Sequence, residues 1–197
     1  MAAAAAARHA KRALVALAPG AEEMEAVITI DVLRRAGIET VVASTTTDLL
    51  VPCSRQVVIK ADATLEDSTR KEQHYDVVVI PGGLNGAKAL ADSRAFGEVL
   101  KEQERSNRTI AAICAGPIAL LSHQIGVGKE ITSHPSVRDK LHETYKYSEH
   151  RVVTDGQLIT SRGPGTAMEF ALAIVQHLLG DEERNKVTAP MVLHPSL

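Results

Sequence analysis

The sequence predicts an α/β fold in which helices cover both faces of a mostly parallel sheet. Short apolar runs at residues 14–18, 77–80 and 109–113 are typical of strands that are buried on both faces. Stretches with helical character separate these runs, and that alternation favours parallel strands. A length of 197 residues fits one domain, and the sequence contains no internal repeat.

Glycine and proline mark the ends of the predicted elements. Gly37 and Gly180 follow helical stretches and close them, and Pro117 suits an early helical position. The predicted strands are residues 14–18, 40–43, 57–59, 77–80, 109–113, 152–154 and 158–160. The predicted helices are residues 22–36, 96–104, 117–123 and 167–179.

Two local motifs organise the C-terminal part. The pair Asp155-Gly156 between apolar runs predicts a β-hairpin. Thr166, followed three residues later by Glu169, predicts a capping box at the start of a helix. In parallel α/β sheets the ligand lies beyond the carboxyl ends of the strands. The loops that follow strands, at residues 19–20, 81–83 and 114–116, are therefore the places to look for chemistry.

The composition excludes several classes of function. Lys and Arg total 22 against 24 Asp and Glu, so there is no basic excess for nucleic-acid binding. Aromatic residues make up only 3%, which argues against base-stacking platforms. The apolar runs are far shorter than the roughly 20 residues that span a membrane. The two cysteines, Cys53 and Cys114, support neither a disulfide framework nor a metal cluster, and no cofactor motif occurs.

The first ten residues differ in composition from the rest. They are rich in alanine, and the basic residues follow the alanines instead of preceding an apolar stretch, unlike a signal peptide. We expect residues 1–10 to be a disordered leader, with a weak organelle-targeting role as the alternative. Residues 11–197 are expected to form the single domain.

The segment around Cys114 is the sharpest chemical signal. A buried strand runs directly into a helix at this cysteine, and the small residues Ala112, Ala115 and Gly116 surround it. A tight turn that exposes a nucleophile needs small neighbours. A thiol at a helix N-terminus also favours its thiolate form. The alternative from the sequence alone is a buried structural cysteine.

Three further features are candidates for the same site. The Gly82-Gly83 pair after a strand could bring backbone N–H groups to an oxyanion, or it could be a plain turn. Of the glutamates that open the first helix, two suffice to complement the helix dipole, and a third could move protons. His134 lies in a loop, where a surface role is the usual alternative. The glutamates are Glu22, Glu23 and Glu25.

Four motifs, at residues 20–25, 79–83, 111–117 and 160–166, resemble those of the ThiJ/PfpI superfamily. The resemblance extends from about residue 11 to residue 193. It implies a flavodoxin-like three-layer sandwich with a strand-elbow-helix cysteine. It also implies a homodimer that forms through the first helix and needs no cofactor.

The resemblance implies roles for individual residues. Cys114 matches an oxidation-sensitive nucleophile, Glu25 matches the acid that hydrogen-bonds its sulfur, and His134 matches an active-site histidine. The small anion site matches the backbone of Gly83 and Ala115, with Gly82 beside them.

The resemblance also concerns two positions outside the elbow, Lys60 and Cys53. Lys60 stands where relatives often have a cysteine, which puts any second thiol chemistry there in doubt. Cys53 matches a structural or interface cysteine.

The resemblance further implies glutathione-independent conversion of methylglyoxal to lactate and deglycation of proteins and nucleotides. It implies redox sensing, chaperone activity and a distribution over cytoplasm, nucleus and mitochondrion. A non-enzymatic redox sensor and chaperone is one alternative, and a cysteine peptidase is another. A glutamine amidotransferase is disfavoured because no histidine here is followed two residues later by glutamate.

Residues 24–30 support the dimer independently, because this part of the first helix is apolar on more than one face. The alternative is a helix that its own chain covers completely.

Overall fold

The computed structural model describes residues 10–70 and 74–194, and these contain eleven strands. The strands are β1 (Arg12–Leu17), β2 (Glu39–Ser44), β3 (Leu50–Pro52), β4 (Val58–Lys60), β5 (Ala63–Thr64), β6 (Val77–Ile80), β7 (Thr109–Ile113), β8 (Glu130–Ile131), β9 (Lys146–Tyr147), β10 (Val152–Asp155) and β11 (Leu158–Ser161). Seven form the central sheet in the order β10-β11-β7-β6-β1-β2-β5. Only the β10–β11 pair is antiparallel in this sheet, so the predicted mostly parallel sheet is confirmed.

Helices cover both faces of this sheet, which confirms the predicted three-layer α/β sandwich. They are α1 (Glu23–Arg35), α2 (Leu65–Ser68), α3 (Leu84–Asp92), α4 (Arg94–Arg105), α5 (Pro117–Ser122), α6 (Arg138–Leu141), α7 (Ala167–Leu179) and α8 (Asp181–Thr188). Helices α1 and α7 pack together on one face. Helices α3, α4 and α5 pack on the other.

Strand β1 shows why the core divides in two. Its side chains alternate between the faces of the sheet, as a pleated strand requires. Val15 and Leu17 enter the core beneath α1 and α7, whereas Leu14 and Ala16 enter the core beneath α3 to α5. All four are fully buried. A strand without a polar face needs helices on both sides, and the sequence supplies them.

Two details of the C-terminal part differ from the expectations. Asp155 belongs to β10 and pairs with Leu158, so the hairpin loop is Gly156-Gln157, one residue later than predicted. The predicted capping box is wrong. The Thr166 hydroxyl bonds to Ser161 and to the backbone of the preceding loop, so it is not available to cap α7.

Further elements are absent from the sequence prediction. Helix α3 begins directly after Gly83, and its glycine and polar residues weaken the helical pattern. The predicted strand at residues 57–59 is present as β4, but it pairs with the unpredicted β3 in a hairpin outside the central sheet. The pair β8 and β9 also lies outside that sheet. The predicted Ala-rich leader covers residues 1–10, of which residues 1–9 lie outside the described residues. Within the described ranges, no helix has the length and apolar character needed to cross a membrane.

Candidate active site

Cys114 occupies a sharp turn directly after β7. Its φ is +62°, in the left-handed region that side-chain-bearing residues adopt rarely. The turn closes through a hydrogen bond of 2.8 Å from the Gly116 N–H to the Ile113 carbonyl. A β-carbon on Gly116 would lie 2.7 Å from the Ile80 carbonyl oxygen, so the turn requires a glycine there. The predicted strand-elbow-helix geometry is therefore present.

Glu25 lies in the first turn of α1 and points inward towards this cysteine. Its side chain is fully buried, and its Oε2 accepts a hydrogen bond of 2.7 Å from the Gly82 N–H. A β-carbon on Gly82 would lie 2.5 Å from Glu25 Oε2 and 2.9 Å from Cys114 Sγ. The carboxyl and the thiol therefore lie side by side. Only a glycine leaves room for them.

The pKa values of this pair follow from burial. Burial raises the pKa of Glu25 to about 7, although interactions with Cys114 and the Gly82 amide lower it in part. Burial and the nearby Glu25 charge raise the pKa of Cys114 to about 12. This direction is opposite to the one expected from the helix N-terminus, because α5 begins three residues later and the carboxylate is much closer. Protonation of Glu25 removes its opposition to the thiolate.

Backbone amides surround the sulfur. The N–H groups of Gly83 and Ala115 interact with Cys114 and favour its thiolate. The expectation that Gly82 also contributes a donor to an anion site is not met, because its N–H is bonded to Glu25. Gly83 has a φ of +81°, which glycine tolerates and which turns its amide towards the site.

The other two glutamates of α1 have structural roles. Glu22 caps the helix, since its Oε2 accepts a hydrogen bond of 2.8 Å from the Glu25 N–H. Glu23 accepts hydrogen bonds from the Ser54 hydroxyl at 2.8 Å and the Arg55 N–H at 2.7 Å. It therefore ties the β3–β4 hairpin to the start of α1. Of the three, only Glu25 contacts the cysteine.

His134 reaches Cys114 through its backbone. Its N–H donates to the Cys114 carbonyl at 2.9 Å. The side chain is exposed, and its Nδ1 accepts a hydrogen bond of 3.2 Å from the Ser136 N–H. The ring packs 3.6 Å from the place that a β-carbon on Gly163 would occupy.

The last residue of β11 and the residue that follows it also hold the elbow, and the sequence reasoning gave them no role. The Ser161 carbonyl accepts a hydrogen bond of 3.0 Å from the Cys114 N–H. The side chain of the next residue, Arg162, reaches the Ser133 carbonyl. Both residues belong to the motif at residues 160–166, which indicates family resemblance but does not by itself indicate a contact with Cys114. No group of three or more potential metal ligands occurs in residues 10–70 and 74–194.

These features define a class of protein, an α/β sandwich with an elbow cysteine paired to a buried glutamate at the edge of a parallel sheet. A family model described as DJ-1/PfpI family matches residues 11–177. Since that match spans most of the chain, the protein belongs to the DJ-1/PfpI family.

Individual relatives agree with the family match. Parkinson disease protein 7 homolog of Danio rerio is 56% identical over 185 residues, which cover 93% of this chain and 97% of the relative. A Caenorhabditis elegans protein named glutathione-independent glyoxalase DJR-1.2 is 44% identical, with coverage of 93% and 97%. The crystal structure of Drosophila melanogaster DJ-1beta superposes with a TM-score of 0.91 at 47% identity, covering 94% of this chain and 100% of that one.

Proposed function

We propose that the protein is a cysteine-dependent enzyme that detoxifies reactive carbonyls, with glutathione-independent glyoxalase activity that converts methylglyoxal to lactate. The observation that carries this proposal is the buried Glu25 carboxyl beside the Cys114 thiol, with backbone donors around the sulfur. The glyoxalase name of a relative at 44% identity supports the same reaction class.

The first step is addition of the Cys114 sulfur to the aldehyde carbon. A carbon–sulfur bond forms, and the carbon–oxygen double bond becomes a single bond to an oxyanion. The N–H groups of Gly83 and Ala115 stabilise that oxyanion. The proton that leaves the thiol ends on this oxygen, and the product of the step is a hemithioacetal.

The second step moves a proton between adjacent carbons. Glu25 removes the proton from the carbon bonded to sulfur and returns it to the neighbouring carbonyl carbon, which gives a thioester of lactate. A carboxyl with a pKa of about 7 has both its acid and its base form near neutral pH, as this shuttle requires. His134 assists proton transfer to the oxygens, and water then hydrolyses the thioester to lactate and the free thiol.

The same addition chemistry extends to larger substrates. Early aldehyde adducts on proteins or nucleotides carry a carbon that a thiol can attack, and deglycation is the corresponding broader activity. A cysteine peptidase is the competing enzyme class on this scaffold. Release of lactate from methylglyoxal, without cleavage of peptides, separates the two.

A redox role is the second candidate function, carried by the accessibility of Cys114. Its side chain is partly exposed and has amide donors, so peroxide can oxidise it to sulfinate with stabilisation by the Glu25 carboxyl. A sensor or chaperone in cytoplasm, nucleus or mitochondrion would use this oxidation without turnover.

Homodimer formation through α1 also belongs to the proposed function. Met24 and Val27 of this helix are exposed by 52% and 48%, so the chain itself leaves them uncovered. Apolar exposure of this kind marks an interface.

Lactate release measured with purified protein tests the enzymatic proposal. We expect wild type and Cys53→Ser to convert methylglyoxal to lactate without glutathione, and Cys114→Ser to be inactive. Cys53 is the matched control because it is the other cysteine and is buried away from the elbow. Wild-type protein that oxidises at Cys114 but makes no lactate would support the sensor instead.

A further inference from the structure

The peptide group between Ser133 and His134 links Cys114 to a polar cluster on its far side. The carbonyl of this peptide accepts hydrogen bonds from the Tyr147 hydroxyl at 3.1 Å and from Arg162 Nε at 3.4 Å. The N–H of the same peptide donates to the Cys114 carbonyl at 2.9 Å. These bonds lie in series across one peptide, so each polarises the next.

The two donors on the far side are themselves held in place. Arg162 Nη1 donates to the Glu149 carbonyl at 3.0 Å and forms an ion pair with its carboxylate at 2.6 Å. The Arg138 guanidinium pairs with the same carboxylate and lies over the Tyr147 ring, 5.3 Å from its centroid. The Arg162 side chain is only 21% exposed. The donors therefore form a fixed framework.

The conformation of Cys114 explains why such a framework is needed. A residue with a side chain at φ +62° is strained and persists only when its surroundings fix it from several directions. The end of β11 holds the N–H of Cys114, and His134 holds its carbonyl. The proposed chemistry uses neither Arg162 nor Tyr147, although both bond to the peptide whose N–H contacts the Cys114 carbonyl.

We propose that Arg162 and Tyr147 are positioning residues, which fix the Cys114 elbow through the Ser133–His134 peptide. They do not touch the substrate. Their effect on turnover rests on the proposed function, whereas their effect on the reactivity of the thiol does not. A misplacement of the nucleophile by a fraction of an ångström slows its reaction without weakening substrate binding.

The alkylation rate of Cys114 by iodoacetamide, followed by peptide mass spectrometry, tests this role. We expect Arg162→Gln to slow alkylation about tenfold and Tyr147→Phe to slow it a few-fold. The kcat for methylglyoxal falls by the same factors, and KM stays unchanged. Arg151→Gln is the matched control: it also loses an ion pair, with Glu169, and a hydrogen bond to a backbone carbonyl, but does not contact Ser133. We expect wild-type alkylation in this control.

The outcomes separate the two proposals. Alkylation of Arg162→Gln within twofold of wild type, or equal slowing in Arg151→Gln, rejects the positioning role. If Arg162→Gln does not fold, Tyr147→Phe tests the positioning role, because this substitution removes only one hydroxyl. An unchanged alkylation rate in Tyr147→Phe then rejects the positioning role. Wild-type protein that makes no lactate refutes the proposed function, and the alkylation ratios still test the positioning.

Discussion

At the scale of single residues, the proton on Glu25 controls the state of the site. With Glu25 ionised, its charge opposes ionisation of the Cys114 thiol. With Glu25 protonated, that opposition is gone, and the amides of Gly83 and Ala115 favour the thiolate. In the proposed mechanism, this one buried carboxyl couples the reactivity of the Cys114 thiol to the acid–base chemistry of the second step.

Removal of this carboxyl tests its part in turnover. We expect Glu25→Ala to lower kcat for methylglyoxal by ~10²–10⁴-fold, the loss that follows from removing a general acid–base. Glu22→Ala is the control, since the Glu22 carboxylate caps α1 and affects the Glu25 carboxyl only through its charge, the smallest contribution to the raised pKa of Glu25. It lowers stability by about 1 kcal/mol and leaves kcat nearly unchanged. Equal and small effects of the two substitutions would remove Glu25 from the mechanism.

The raised pKa of Glu25 also predicts how stability depends on pH. In the unfolded chain this carboxyl loses its proton near its ordinary pKa of 4.5, whereas the folded protein retains it to about 7. The stabilisation of the folded protein by the raised pKa of Glu25 is therefore fully present below pH 4.5. It is lost progressively between pH 4.5 and 7, and the total loss is about 3 kcal/mol.

Urea unfolding at a series of pH values checks this dependence. Relative to Glu25→Gln, the free energy of unfolding of the wild type should fall as the pH rises from 4.5 to 7. The difference between the two proteins should then stay constant above that range. A difference that stays constant over the whole range would show that the pKa of Glu25 is ordinary.

Oxidation by peroxide distinguishes the two cysteines. Cys53 is only 6% exposed, and its thiol faces the Val51 carbonyl. Cys114 is more exposed and has amide donors that stabilise an anionic product. We expect peptide mass spectrometry to find sulfinate at Cys114 before any oxidation of Cys53. Earlier oxidation of Cys53 would contradict this order.

At the scale of elements, the loop after β6 brings α1 and the elbow into contact. Gly82 packs against both Glu25 and Cys114, and a β-carbon there would come within 2.5 Å of each residue. We expect Gly82→Ala to displace the cysteine and to slow its alkylation at least tenfold. Gly165→Ala is the control because a β-carbon there meets nothing within 4 Å. Alkylation at the wild-type rate in Gly82→Ala would show that the loop shifts to accommodate the added methyl group without displacing Cys114.

The sequence predicted elements best where burial is continuous. The strands at residues 77–80 and 109–113 have the predicted limits, because a run of four or five buried, almost entirely apolar residues admits few alternatives. Helix α3 was missed since its packing depends on Gly86, which lies against the backbone of Ala21. That contact joins residues distant in sequence and leaves no periodic signal.

The site was predictable only in part, for a related reason. The small residues around Cys114 indicated an elbow from the sequence alone. The choice of Glu25 among three glutamates came from family resemblance, because helix direction alone does not say which carboxyl faces the sheet edge. The raised pKa of Cys114 depends on a neighbour that is 89 positions away in the sequence and touches it only in the folded chain.

At the scale of the whole molecule, one apolar surface remains uncovered. Helix α1 packs against α7 on its inner side, but Met24 and Val27 face outward. Val58 on the neighbouring β3–β4 hairpin is 56% exposed as well. Glu23 bonds that hairpin to α1, and Val27 lines a surface pocket together with Ile59 of the hairpin.

A second copy of the chain is the partner that we expect for this surface. Sedimentation equilibrium at micromolar concentration should give twice the chain mass of 21.1 kDa. Val27→Asp places a charge in the contact and should give the single-chain mass. Val127→Asp is the matched control, because Val127 is also an exposed valine, at 57%, but lies in the loop between α5 and β8. A wild-type mass near 21.1 kDa would exclude the dimer. A dimer that survives Val27→Asp would place the interface on another face.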